Sequence, residues 1–170
     1  MLGELVRRAA ARGLPVSPVL GDATELDLGR RFDLILAPAS FAQIIGGRDA
    51  RRTLLGVIAR HLSERGVAVV AIADVDEVLR ECATPGPPRR LRARGRTFVS
   101  RQLAATETED GAQVVWKHGV HRRTAVTFRR LSPEDLAADA RACGLHAPHD
   151  HHDPGDATSL GATYCVLHLA

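Results

Sequence analysis

The chain has a single lysine, Lys117, among its 23 basic residues, and its aromatic content is one Trp, one Tyr and four Phe. So few aromatic rings leave little with which to stack unpaired bases, which argues against a single-strand nucleic-acid platform. The three cysteines, Cys82, Cys143 and Cys165, are odd in number, widely spaced and without a CxxC pair. That pattern supports neither a disulfide framework nor a zinc site, so each is read as a small buried hydrophobe. No apolar run reaches the ~18 residues that a membrane-spanning helix needs. The opening Met1-Leu2-Gly3-Glu4-Leu5 lacks the basic-then-apolar design of a secretory signal, and a cytoplasmic protein without membrane partners is expected. The preference for Arg over Lys, with abundant Ala and Gly, reflects GC-rich coding. With 20 acidic residues interleaved and a net charge of only +3, it argues weakly for a nucleic-acid partner.

What is present is an ordinary globular composition. The 170 residues are 45% hydrophobic and 25% charged, which suits one domain with one core and excludes a disordered chain.

The hydrophobic pattern divides the chain into three stretches. Leu2, Leu5, Val6, Ala9 and Ala10 share a helical face over residues 2–12, with Arg7, Arg8 and Arg12 opposite, and Gly13 stands where a C-cap belongs. Val16 to Leu20 reads as a short strand closed by Gly21-Asp22, and Phe32 to Ala37 as a second strand ended by Pro38. Residues 48–63 read as a helix with Leu54, Leu55, Ile58 and Leu62 inside and Arg51, Arg52 and Arg60 outside. Gly66 to Ala73 is a continuous apolar run, the pattern of a parallel strand covered on both faces. This alternation predicts an open α/β sheet, whose ligands sit beyond the carboxyl ends of the strands.

After a short helix over 75–82, Pro85-Gly86-Pro87-Pro88 breaks regular structure. Residues 89–130 are polar, Arg-rich and strand-like, with candidate strands at 97–103, 113–117 and 124–129 and a turn at Glu109-Asp110-Gly111. They are expected to form antiparallel hairpins. Ser132-Pro133-Glu134-Asp135 then starts a helix, with Ser132 as cap, Pro133 in the first turn and Leu131 and Leu136 as a hydrophobic staple. Gly144 ends it, a His/Asp-rich surface loop follows, and Ala162 to Leu169 forms a last strand.

The order of Gly21-Asp22-Ala23, Phe32-Asp33, His61-Leu62, Gly66 to Ala73, Leu131 to Leu136, Cys143-Gly144-Leu145 and the last apolar strand resembles the class I S-adenosylmethionine (SAM)-dependent methyltransferases. The resemblance covers about two-thirds of the chain; residues 84–130 have no counterpart in it. It implies a Rossmann-like α/β sheet over residues 1–83 and 131–170, with 84–130 as an inserted β-hairpin lobe of a single domain. It also implies SAM as cofactor and a small-molecule methyl acceptor. Asp22 would accept from the adenine amino group and Ala23 would lie beside the ring, with Gly21 making the turn. Ala37 and Pro38, with Ser40, would end the strand where cofactor and acceptor meet. Asp33 is read as structural. The alternative for Gly21-Asp22 is a tight Asx-type turn, and for Ala37-Pro38-Ser40 a plain strand terminator.

The sequence departs from that family in one respect. The glycine-rich loop after the first strand, that strand itself and the acidic residue ending the second are absent, and Gly46-Gly47 precedes a helix without a strand immediately before it. The chain therefore looks like a methyltransferase lacking its first ~60 to 80 residues, the size of a βαβ unit with a leading helix. Weak SAM binding is expected. The cluster His146, His149, Asp150, His151, His152 and Asp153 is read as a solvated loop with no metal site. His118 and His121 are the better general-base candidates near neutral pH, although methyl transfer needs no base and ordinary hairpin surface is the default for both. The run Arg89 to Arg96 is read as a solvated hairpin arm. Beside the enzyme reading stand a non-catalytic α/β module that completes its sheet on a partner chain, a homodimer being one version, and a nucleic-acid-binding protein.

Overall fold

The structure is a computed structural model that describes residues 2–83, 88–93, 96–119, 122–156 and 159–170. Its first sheet has the order β1-β2-β8-β7, where β1 is Phe32–Ala37, β2 Leu62–Ile72, β7 Leu145–Asp156 and β8 Ser159–Leu169. β1 and β2 run parallel, whereas β8 lies antiparallel to both of its neighbours. A tight β7–β8 hairpin thus places a reversed strand inside the sheet.

Side chains alternate across a strand, so the register sorts each residue to a face. Ile35 and Ala37 of β1, Ala68, Val70 and Ile72 of β2, and Cys165 and Leu167 of β8 share one face, where they join the main core. Two helices cover that face: α3 (Arg48–His61) and α5 (Pro133–Arg141). Leu54, Leu55 and Ile58 of α3 and Leu62 just beyond it are all buried, as their 3.6-residue spacing predicts, and each contributes roughly 1.5–3 kcal/mol by leaving water. α5 begins as its sequence requires. The Ser132 hydroxyl accepts from the Asp135 N–H at 3.1 Å, Pro133 opens the first turn, and Leu131 and Leu136 are both buried. The burial pushes the Cys165 thiol up to about 11, in keeping with its role as a core residue.

The opposite face of the same sheet carries Leu34, Leu36, Val67, Val69 and Val166 in matching register. Leu34 and Leu36 are 56% and 62% exposed. Helix α1 (Leu2–Ala10) leaves its own apolar face open as well, with only Ala9 buried.

The second sheet, β3 (Arg89–Ala93), β4 (Arg96–Thr108), β5 (Gly111–His118) and β6 (Arg122–Arg129), is antiparallel throughout and joined in sequence order. These are the hairpins expected over 89–130. The β4–β5 turn requires glycine at 111, because a Cβ there would stand 1.9 Å from the Phe128 carbonyl oxygen. One face of this sheet, with Ala112, Val114 and Phe128, packs with Val75 and Val78 of α4 (Val75–Ala83) into a smaller core. The Asp74 carboxylate accepts from the Asp76 and Glu77 N–H groups and caps α4.

Three expectations are corrected. Val16 to Leu20 is not a strand; its residues are exposed, Leu20 by 89%, and no strand among the described residues supplies the partner groups that a ladder needs. The His/Asp-rich stretch is not a loop but most of β7, paired with β8 from Leu145 to Asp156. Arg51 does not point outward: it is 7% exposed, because α5 presents the buried carboxylate of Asp139 to that side of α3. Pro85-Gly86-Pro87 and His121 lie outside the described residues.

Candidate functional site

The carboxyl end of β1 leads into an unusual turn. Pro38 is followed by Ala39 and Ser40, both left-handed at φ 57° and 56°, and then by a single helical turn, α2 (Phe41–Ile44). Two consecutive non-glycine residues in that region cost roughly 1–2 kcal/mol each, and such strain clusters at functional sites. The turn is held by Gln43, which is fully buried. Its Oε1 accepts from the Ala73 N–H at 2.7 Å, while its Nε2 donates to the carbonyls of Ala73 at 3.0 Å and Arg129 at 2.9 Å. One side chain therefore joins the ends of β1, β2 and β6. Sequence reasoning passed over Gln43; the one available signal was a lone amide in the apolar run Phe41-Ala42-Gln43-Ile44-Ile45.

An apolar groove of about 490 Å³ opens along the edge of β1 that has no partner strand among the described residues. Ala23, Ala37, Pro38 and Phe41 line it at the carboxyl end of the strand, and Phe32, Leu28 and His61 at the other end. The structure thus brings together three of the five predicted cofactor residues, Ala23, Ala37 and Pro38. Gly21 and Asp22 precede Ala23 in the adjoining turn but do not line the groove. Asp22 makes the Asx turn offered as its alternative reading. Its Oδ1 accepts from the Thr24 N–H at 2.8 Å and from the Thr24 hydroxyl at 2.7 Å. The backbone bond, then the hydroxyl bond, hold the carboxyl below its ordinary range. His61 closes the far end: its Nε2 accepts from the Leu28 N–H at 2.9 Å, so its Nδ1 carries the proton donated to the Val57 carbonyl at 2.8 Å. Asp33, read from the sequence as structural, is exposed and its carboxylate accepts from the Ser63 hydroxyl at 2.6 Å.

A second cavity, of about 330 Å³, lies beyond the carboxyl end of β2. Asp74, which caps α4, and Asp76 in its first turn border it, with Arg130 and Ser132 from the segment entering α5 and His152 and Thr163 from the β7–β8 hairpin. His152 Nδ1 lies 3.3 Å from the Thr163 hydroxyl, which leaves Nε2 as the nitrogen not engaged by that contact. Arg130 bridges Asp76 and Glu107, tying α4 to β4 at the rim. His118, by contrast, is exposed on the second sheet with Ser100 Oγ 3.2 Å from its Nδ1, and it borders neither cavity. His146 lies beside His168, their ring centroids 5.4 Å apart.

An open sheet with a parallel pair, a reversed strand between parallel neighbours, a groove along β1 and a cavity beyond the carboxyl end of β2 defines a class: the fold is that of the class I SAM-dependent methyltransferases. Solved structures agree. A SAM-dependent methyltransferase from Clostridium acetobutylicum superposes with a TM-score of 0.77 at 14% identity, over 99% of this chain and 71% of that one. The methyltransferase CcbJ from Streptomyces caelestis gives 0.67 at 24% identity, over 100% and 75%. The glycopeptide N-methyltransferase MtfA in complex with SAM gives 0.57 at 17% identity, over 99% and 73%. No family model matches the sequence, and no curated protein matches it.

Proposed function

We propose that this chain takes part in methyl transfer from SAM to a small hydroxylated or amino-bearing acceptor. The observation that carries the reading is the pair of cavities on this sheet: an apolar groove along β1 that reaches Ala37, Pro38 and Phe41, and a polar cavity at the end of β2 lined by Asp74, Ser132 and His152. Fold alone does not fix chemistry; what these residues can hold decides it.

The groove suits the adenine end of the cofactor. Ala23 and Ala37 are small enough to admit a flat ring, Pro38 and Phe41 supply apolar walls, and Asp22 stands one residue away with a carboxylate able to accept from an exocyclic amine. When bound, SAM supplies an activated methyl group for direct transfer to a nucleophile. A ring of backbone donors for its carboxypropyl end is not found among the described residues. We propose that polypeptide packed along the free edge of β1 provides it, a reading supported by the 56% and 62% exposure of Leu34 and Leu36 and by the unpaired groups of that edge.

The second cavity suits the acceptor. Asp74, Asp76, Ser132 and Thr163 offer oxygens to hydroxyl or ammonium groups, and about 330 Å³ is at the small end of ligand pockets. His152, steadied by Thr163, is the group placed to take a proton from an acceptor amine or hydroxyl. The neighbouring structures include an amino pentose methyltransferase and a sugar N-methyltransferase, which fits an acceptor of that chemistry.

The test is calorimetric titration of S-adenosylhomocysteine into the chain and into Ala23→Trp, with and without in-frame upstream residues. Binding by the wild-type chain in either form, weakened at least tenfold by the tryptophan, supports the reading. Absence of binding in both forms, or tryptophan-insensitive binding, overturns it.

A further inference from the structure

The second sheet packs one face on α4 and turns the other to solvent. On β5, Ala112, Val114 and Trp116 point to the core, so Gln113, Val115 and Lys117 point outward. Strand pairing sets Arg101 of β4 directly opposite Lys117 and Lys117 directly opposite Arg123 of β6. Three cations thus stand in one row across three strands. Arg90 of β3 adds a fourth from the position opposite Val99, two residues from Arg101 on the same face.

Like charges directly opposite each other destabilise a sheet, and no ion pair among the described residues offsets them. None of the four makes an ion pair among the described residues; the face beside them carries the small, uncharged Val99, Ala104, Thr106, Val115, Ala125 and Thr127, and its one further described charge pair, Arg129 with Asp110, stands at the far end of β6. The core on the other side of the sheet does not need the row. Arg101 and Arg123 are exposed and Lys117 half-buried, so their charged ends are within reach of a partner.

Chemistry and spacing narrow the partner. The face carries no aromatic ring among the described residues, which removes base stacking. Adjacent strands lie ~4.8 Å apart, so the row repeats at about the ~5–6 Å that separates side chains at i, i+3 and i+4 on one helical face. We infer that the outer face of the second sheet docks an acidic helix of a partner protein, laid across the strands with its carboxylates over Arg101, Lys117 and Arg123. This docking site is separate from both cavities and does not depend on the methyl-transfer reading.

The test uses the full chain and an Ala-based helical peptide of about 20 residues with Glu at i, i+4, i+7 and i+11, followed by fluorescence anisotropy at low and physiological salt. Lys117→Glu is expected to weaken binding at least tenfold and to leave Tm unchanged or higher, because a carboxylate between two guanidiniums removes the repulsion. Arg123→Gln serves as the second variant and is expected to weaken binding several-fold, while the remote Arg60→Gln keeps wild-type affinity. Peptide affinity indifferent to Lys117→Glu and Arg123→Gln overturns the site. Tighter binding of a duplex DNA of about 20 base pairs, or of phosphatidylserine vesicles, than of the peptide overturns the acidic helix as its partner.

Discussion

Arg51 and Asp139, 88 residues apart in the chain, meet inside the interface of α3 and α5, where Arg51 Nε and Nη2 donate to Asp139 Oδ2 at 2.9 and 2.6 Å. Arg48 and Arg52 donate to the other oxygen at 2.8 and 2.9 Å. The carboxylate is fully buried, so desolvation pushes its pKa up, but the three guanidinium hydrogen bonds outweigh that and bring it down from 3.8 to about 2. A depressed carboxyl stabilises the fold above its unfolded value and loses that contribution as pH falls through the folded one. Stability is therefore expected to fall by about 2 kcal/mol between roughly pH 4 and pH 2, a step that Asp139→Asn removes. Asp139→Ala, which leaves Arg51 buried without its counter-charge, is expected to cost about 3–5 kcal/mol in urea unfolding at neutral pH.

Gln43→Ala orphans the Ala73 N–H and leaves the carbonyls of Ala73 and Arg129 without their donor. A loss of about 1–3 kcal/mol is expected. Because the side chain ties α2, whose Phe41 lines the groove, to Ala73, which lines the second cavity, ligand binding at both should weaken in the same variant, read by titration at a temperature where it remains folded.

Ala39→Gly should raise Tm. Ala39 is exposed with φ 57°, a conformation that glycine adopts without a Cβ clash, and a gain of about 1 kcal/mol is expected. An unchanged or lower Tm would mean that the extra freedom of the unfolded glycine chain outweighs the relieved strain.

Leu34 and Leu36 line the middle of the β1 groove and are largely exposed, beside a strand edge with no partner among the described residues. The double variant Leu34→Lys, Leu36→Lys should reduce concentration-dependent self-association in sedimentation experiments without lowering Tm, since neither side chain sits in the core. A lowered Tm would show that the two leucines are packed.

Much of this fold was legible in the sequence where a segment's own pattern decides its structure. Phe32 to Ala37, the Leu54-Leu55-Ile58-Leu62 stripe and the Ser132-Pro133 start carry their instructions locally, and the structure follows them. Val16 to Leu20 has strand composition but no strand beside it, and a strand exists only with its partner. The His-rich stretch errs the other way: its composition reads as a loop, yet pairing with β8 makes it a strand. Arg51 looked external because Asp139, which draws it inward, is contributed by another helix. Of the residues the motif order singled out, Ala23, Ala37 and Pro38 share one groove, while Gly21 and Asp22 stand outside its lining. Gln43, His152 and the left-handed turn at Ala39-Ser40 depend on how distant elements meet, and no local pattern announces them.

The most direct test of the central reading is an amide ¹⁵N spectrum titrated with S-adenosylhomocysteine, which detects even weak occupancy. The account predicts graded shifts at Asp22, Ala23, Ala37 and the turn from Ala39 to Phe41, with the remote Gly111 turn unmoved. Shifts absent from those residues, or confined to the cavity around Asp74, Ser132 and His152, would contradict the assignment of the β1 groove to the cofactor.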